Sequence, residues 1–217
     1  MVWMKQVLIY PDRFFGERSE MGTNLKVPFF IVLIVAVINA IDNVVLVHAL
    51  TYRLSGYVVL FKVLFIAIIA IRTLVIPFIE WAFYAGIFYV ISMLFRGEGS
   101  FKRVFEFTGY GFIPYIIIQL MGFAVTMTIF PEITALPESW IENPEILKQM
   151  IIQNQLMTVS SIITIFLMLW RAYIWIFGIK HARNISTKHA MITVGIPVGI
   201  GLIIIIAARF FNFLSMF

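Results

Sequence analysis

The 217 residues contain no cysteine, and only 12% of them carry a formal charge. The missing thiols exclude disulfides, thiolate metal sites and a cysteine nucleophile. The shortage of charge excludes more. A soluble domain carries roughly 25% charged and about 45–50% apolar residues, whereas 62% of this chain is apolar or aromatic and its mean hydropathy is +1.00. Such a chain cannot cover a water-facing surface, so a soluble enzyme or nucleic-acid binder is excluded. The composition predicts an all-α fold: a polytopic membrane helix bundle with short interfacial helices. At about 20 residues per crossing there is room for five or six spans.

Catalytic signatures are missing too. There is no H-E-x-x-H, no G-x-S-x-G and no glycine–lysine phosphate loop. His48, His181 and His189 are not at ligand spacing, and the latter two share a basic turn that predicts solvation. No metal, cofactor or catalytic residue is assigned, and the expectation is a protein that is not an enzyme.

Five apolar stretches are long enough to cross: 27–50, 73–95, 108–130, 156–179 and 190–211. A shorter sixth candidate, 57–72, carries Lys62 and Arg72. The positive-inside rule decides between five and six. Five spans place ten basic residues on one side against five on the other, whereas six spans give seven on each. The chain is therefore expected to have five spans, a cytoplasmic N-terminus and an external C-terminus, in the cell membrane if the source is prokaryotic. Segment 57–72 becomes an interfacial helix, or alternatively an extension of span two kinked near Pro77. The predicted organisation is a cytoplasmic amphipathic segment, 1–26, and a five-span domain, 27–217.

No cleavable signal peptide is expected, because residues 1–26 alternate charge with bulk. Pro11-Asp12 predicts a helix start. Trp3, Val7, Leu8, Phe14 and Phe15 suit burial in the headgroup region, with Arg13 and Arg18 on lipid phosphates. Asn143-Pro144-Glu145 predicts a second helix start in the loop 131–155, where Glu132, Glu138, Glu142 and Glu145 outnumber Lys148.

Ionisable groups inside spans are expensive and face protein or water. Asp42 and Glu80 lie roughly 21 Å from their cytoplasmic span ends, and Arg209 roughly 28 Å. With Arg72, these form a possible outer-half cluster. Arg171, only about 12 Å in, falls outside it. Asn39, Asp42 and Asn43 share one helix face, which should point into the bundle. The group reads first as an ion-paired, hydrogen-bonded seam fixing helix register, and otherwise as a proton or ion relay or a polar-lipid or small-ligand site.

Small residues mark close helix approach: Gly195 and Gly199 in span five, and Ala82 and Gly86 in span two. Contact within the bundle is the default, with a second copy as the other possibility. Lys102, Arg103, Lys180, Arg183 and Lys188 gather on the cytoplasmic side, where they set topology and suit anionic lipids or a partner. Gly97-Glu98-Gly99-Ser100 reads as a flexible hinge between spans.

Three segments carry a family resemblance. The first is Tyr10-Pro11-Asp12-Arg13-Phe14-Phe15. The second is Gly97-Glu98-Gly99-Ser100-Phe101-Lys102-Arg103 leading into Gly109-Tyr110-Gly111-Phe112-Ile113-Pro114. The third runs from Gly178 through Ser186 to Ala190. The chain resembles the Yip domain family (Ypt-interacting protein one). The resemblance implies a five-span protein with a cytoplasmic N-terminus, whose motif residues here are Pro11, Phe14, Phe15, Gly99, Ser100, Phe101, Gly109, Tyr110 and Pro114. It also implies eukaryotic relatives in Golgi and endoplasmic-reticulum membranes that associate with Rab-type GTPases and with one another. Those relatives usually carry a long polar N-terminal region; with about 26 residues there, this chain is more similar to the short archaeal and bacterial members.

Two functions remain. The leading one is a non-enzymatic membrane-organising or trafficking-type adaptor whose basic face engages membrane lipids, a membrane-protein partner, another copy of itself or a GTPase. The alternative is a small transporter or channel using Asp42 and Glu80. Physically, Gly109 and Gly111 permit close packing or a bend at the membrane entry, and Pro114 frees a backbone carbonyl in the first turns of span three.

Overall fold

The computed structural model describes residues 2–52, 59–136, 143 and 145–214. Among these the fold is all-helical: α1 (Val2–Ile9), α2 (Pro11–Ser19), α3 (Lys26–Leu50), α4 (Val59–Met93), α5 (Phe101–Tyr110), α6 (Ile113–Ala135), α7 (Glu145–Gln153), α8 (Gln155–Arg183) and α9 (Thr187–Leu214). Five helices are long and apolar enough to cross a membrane: α3, α4, α6, α8 and α9 to Ala207.

Local signals explain many boundaries. Pro11 opens α2, where its missing N–H is no loss, Asp12 sits in the first turn and Arg18 in the last, each favourable to the helix dipole. Ser100 caps α5, its hydroxyl accepting from the Arg103 N–H at 3.3 Å. Asn143 accepts from the Glu145 N–H at 3.3 Å at the head of α7. Arg96 and Asn184 stand at φ 54° and 50° just past α4 and α8. Beside them, Gly97 N–H reaches the Ser92 carbonyl and Ile185 N–H the Lys180 carbonyl, both at 3.1 Å. This left-handed turn closes both helix ends.

Two boundaries depart from expectation. Residues 59–72 are no separate interfacial helix; as the alternative reading had it, they extend span two, forming the first part of α4, which continues through Pro77 for 35 residues. Counting cations disfavoured a span there, yet nothing between 59 and 76 interrupts helix formation, and a long helix tolerates Lys62 and Arg72. Span three starts at Ile113 and not at 108, because α5 is a separate helix ended at Gly111. Val104, Phe107 and Tyr110 of α5 are buried in protein, so hydropathy alone fuses the end of α5 to the span. Pro114 therefore sits in the opening turn of α6, where it frees no carbonyl.

The chain divides into two compact units. The first comprises Met1–Ile31, Glu80–Ile113 and Met168–Phe217, the second Val32–Ile79 and Pro114–Leu167. In the first, Val7, Phe15, Phe88, Phe107, Phe112, Ile174 and Trp175 are buried. In the second, Ala49, Ile129 and Ile133 form a small apolar core flanked by Leu46, Leu50, Phe130, Met150 and Met157.

Candidate functional site

The densest chemistry lies in the first unit, where the N-terminal helices are fastened to α5 and α8. Val7 and Phe15 have no exposed surface. The Phe15 ring lies 4.8 Å from Phe107 and 5.1 Å from Phe14, while Phe14 meets Tyr110 edge-on at 5.2 Å. For Val7 and Phe15 the expected burial in lipid headgroups is therefore replaced by burial in protein, Phe15 against the Phe107 ring of α5.

Ionic contacts complete the attachment. Glu106 is fully buried, with one oxygen 3.0 Å from Arg18 Nε and the other 2.9 Å from Arg103 Nη1. Arg103 also donates to the carbonyls of Arg18, Ser19 and Met21. Asp12 Oδ1 lies 2.6 Å from Lys180 Nζ and 2.7 Å from His181 Nε2. The Asp12 carboxyl is held below the usual carboxylate range, first by the Lys180 hydrogen bond and then by His181. Trp170 Nε1–H donates to the Leu8 carbonyl at 3.0 Å. Arg18 Nε is thus engaged by Glu106, and His181 is engaged where solvation was expected.

The glycines of the second motif are required by contact. A Cβ on Gly111 would stand 2.1 Å from Trp175 Nε1, whose N–H donates to the Thr108 carbonyl at 2.7 Å. A Cβ on Gly109 would meet Pro28 at 2.6 Å and Trp81 at 3.0 Å. Trp81 stacks on Phe105 at 4.0 Å and donates to its carbonyl at 2.8 Å. Phe101 packs edge-on against Tyr89 at 5.5 Å. Gly99 has φ 108°, and a Cβ there would lie 2.3 Å from the Ala182 carbonyl.

Residues 97–100 form a fastened turn where a flexible hinge was expected. Arg183, 3% exposed, donates Nε–H to Ser92 Oγ at 2.9 Å and both terminal nitrogens to the carbonyls of Gly97 and Gly99. Its guanidinium covers the Tyr89 ring at 4.4 Å, and the Glu98 N–H returns to the Arg183 carbonyl at 2.8 Å. Of the five cations expected to form one basic face, Arg103, Lys180 and Arg183 are therefore spent on internal contacts, while Lys102 and Lys188 are exposed.

The span carboxylates also group differently from expectation. Glu80 pairs with Arg171 at 2.9 Å, and the Arg171 guanidinium lies 4.1 Å from Phe112 and 4.2 Å from Trp175 ring centres. Arg171 was expected to lie outside the cluster in a span ending at residue 179. Helix α8 runs to Arg183, which puts Arg171 about 18 Å from the helix end, close to the roughly 20 Å separating Glu80 from Met93. Arg72 is exposed, and the side chain of Arg209 lies outside the described residues, as do Arg53, Glu138, Glu142 and the Lys148 side chain.

In the second unit, Asn39 donates to the Thr73 carbonyl at 2.9 Å and Asn43 donates to Asn39 Oδ1 at 3.0 Å. Thr126 bonds the Asp42 carboxyl, whose Oδ1 is buried without a hydrogen-bond partner among the described residues. Gly122 lies beside Asp42 Oδ2, with 3.5 Å from that oxygen to a Cβ placed there. Gly195 and Gly199 were expected to pack within the bundle, yet a Cβ at either, or at Gly86, meets no atom within 4 Å. Those glycines thus have no close neighbour among the described residues.

Sequence reasoning missed Glu106 altogether. Its signal was there in principle: an acid three residues after Arg103 on an otherwise apolar, aromatic helix face.

The helices and this fastened N-terminus define a multi-pass membrane protein. The Yip1 domain profile matches residues 5–208, so the chain belongs to the Yip1 domain family. It is also similar to an uncharacterized protein of Methanocaldococcus jannaschii, 39% identical over 117 residues that cover 54% of this chain and 82% of the relative. No solved structure matches it.

Proposed function

We propose that this is a non-enzymatic membrane-organising adaptor of the trafficking type. Its working surface is the end of the first unit built from α1, α2, α5, the close of α8 and the start of α9, facing the cytoplasm. The observation that carries the reading is the division of labour among the cations. Arg18, Arg103, Lys180 and Arg183 build the surface from within, while Lys102 and Lys188 stand exposed on it. A rigid, basic, ring-backed surface suits anionic lipid or an acidic partner segment. A GTPase or a second copy of the chain belongs to the same reading.

The rival is a transporter or channel, and Asp42 is its best support: a span carboxyl with one oxygen lacking a partner among the described residues. Reconstitution into liposomes separates the two. The adaptor reading expects no proton or cation flux from wild type or Asp42→Asn, with both folded, and reduced cross-linking to partners in native membranes for Lys102→Glu/Lys188→Glu. Flux that disappears in Asp42→Asn replaces it with the transporter.

A further inference from the structure

The Arg18–Glu106–Arg103 cluster is not electrically neutral. One fully buried carboxylate serves two guanidinium groups whose side chains are 20% and 14% exposed, which leaves one surplus positive charge in a poorly solvated place. Such a charge is costly unless an anion or water compensates it. The two arginines open on different cavities. That of Arg103 is about 260 Å³ and includes Ser19, Thr23, Glu98, Ser100 and His181 in its wall. There Arg103 is already spent on Glu106 and three carbonyls, and Glu98 brings a negative charge.

Arg18 faces a cavity of about 180 Å³ walled by Trp3, Phe14, Arg18, Asn24, Val27 and Tyr110. Arg18 Nε is taken by Glu106, the Tyr110 hydroxyl is a second partner, and Nη1 has the Met21 sulfur at 3.7 Å, a weak acceptor. A guanidinium has five N–H donors, so an edge remains for an oxyanion. Among the described residues, no carboxylate stands in this wall. Three of its rings are apolar bodies of the kind that settle at a membrane–water boundary. Val27 is the second residue of the first candidate span, which sets the cavity where that span leaves the hydrocarbon and lipid phosphates are concentrated.

We propose that this cavity is a binding site for the phosphate of a net-anionic membrane phospholipid. The phosphate oxygens meet the free guanidinium edge of Arg18 and the side chain of Asn24, and the glycerol end rests on Trp3, Phe14 and Tyr110. The site does not depend on the adaptor reading, because a transporter would carry it equally.

The test is native mass spectrometry of the delipidated full chain in neutral detergent, titrated with phosphatidylglycerol, phosphatidylcholine or inorganic phosphate. One phosphatidylglycerol should bind in preference to phosphatidylcholine, and millimolar inorganic phosphate should not displace it. Asn24→Asp keeps an acceptor for the Lys26 N–H that Asn24 now bonds at 2.9 Å, but sets a carboxylate on the cavity wall. It should weaken phosphatidylglycerol by roughly tenfold or more. Trp3→Ala, which touches no ion pair, should weaken it by a smaller factor. Equal binding of the two lipids, displacement by free phosphate, or unchanged affinity in both variants overturns the proposal.

Discussion

The two compact units are held by different means. The first depends on groups that fit in one way: a buried carboxylate between two arginines, an arginine laced to two loop carbonyls, and indoles seated where glycines leave space. The second rests on a small aliphatic core and a short run of amides, Asn43 to Asn39 to the Thr73 carbonyl. Specific polar fits fail sharply when one member is changed, whereas aliphatic packing yields by degrees. The contrast therefore predicts unequal tolerance to substitution, and its strongest test is at Glu106.

Glu106→Gln keeps the shape of the side chain and removes its charge. Two poorly solvated guanidinium groups then lose their shared counter-ion, a loss of about 3–5 kcal/mol by analogy with other broken buried pairs. The expected result is a large drop in thermal stability in detergent, together with protease cleavage near α1–α2. A stability close to wild type would show that the Arg18 and Arg103 contacts are incidental.

Glycine substitutions sharpen the same contrast at a lower level. Gly111→Ala drives a methyl to 2.1 Å from the Trp175 ring nitrogen and should cost about 1–3 kcal/mol. Gly122→Ala, in the second unit, meets Asp42 at an ordinary 3.5 Å and should leave stability within about 0.5 kcal/mol of wild type. Equal melting temperatures for the two variants would erase the distinction between the units.

These residues also show what was legible beforehand. The spans were, because hydropathy over twenty residues is a property of the chain itself: all five expected stretches fall largely within α3, α4, α6, α8 and α9. The helix start at Pro11-Asp12 was readable from its chemistry. What failed were the groupings. Whether Phe15 covers lipid or Phe107, and whether Glu80 meets Arg171 or Asp42, depends on which helices adjoin, and periodicity within one helix carries no such information. The motif glycines could be seen as special, but the Trp81 and Trp175 rings that make them so lie about 28 and 64 residues away in the chain.

A smaller effect is expected inside the aliphatic core of the second unit. Ile129→Val removes one methylene from a residue 2% exposed and should cost about 0.5–1.5 kcal/mol. Thermal unfolding should shift modestly, and the protein should still purify as a single species. A collapse as deep as that of Glu106→Gln would show that the second unit is no more forgiving than the first.

The smallest effect concerns Asp12, whose carboxylate is 51% exposed beside Lys180 and His181. Its folded-state pKa is depressed, so its contribution is fully present above the unfolded value of about 3.9 and is lost as pH falls through the lower folded value. Solvent screening holds that contribution to about 1 kcal/mol or less. Hydrogen exchange of the α1–α2 amides, corrected for intrinsic rates, should thus show slightly more opening at pH 3 than at pH 5. Asp12→Asn should show the same opening at both, since it has no carboxylate to protonate. If the variant kept the wild-type pH step, the acid-sensitive fastening would belong to another group of the first unit.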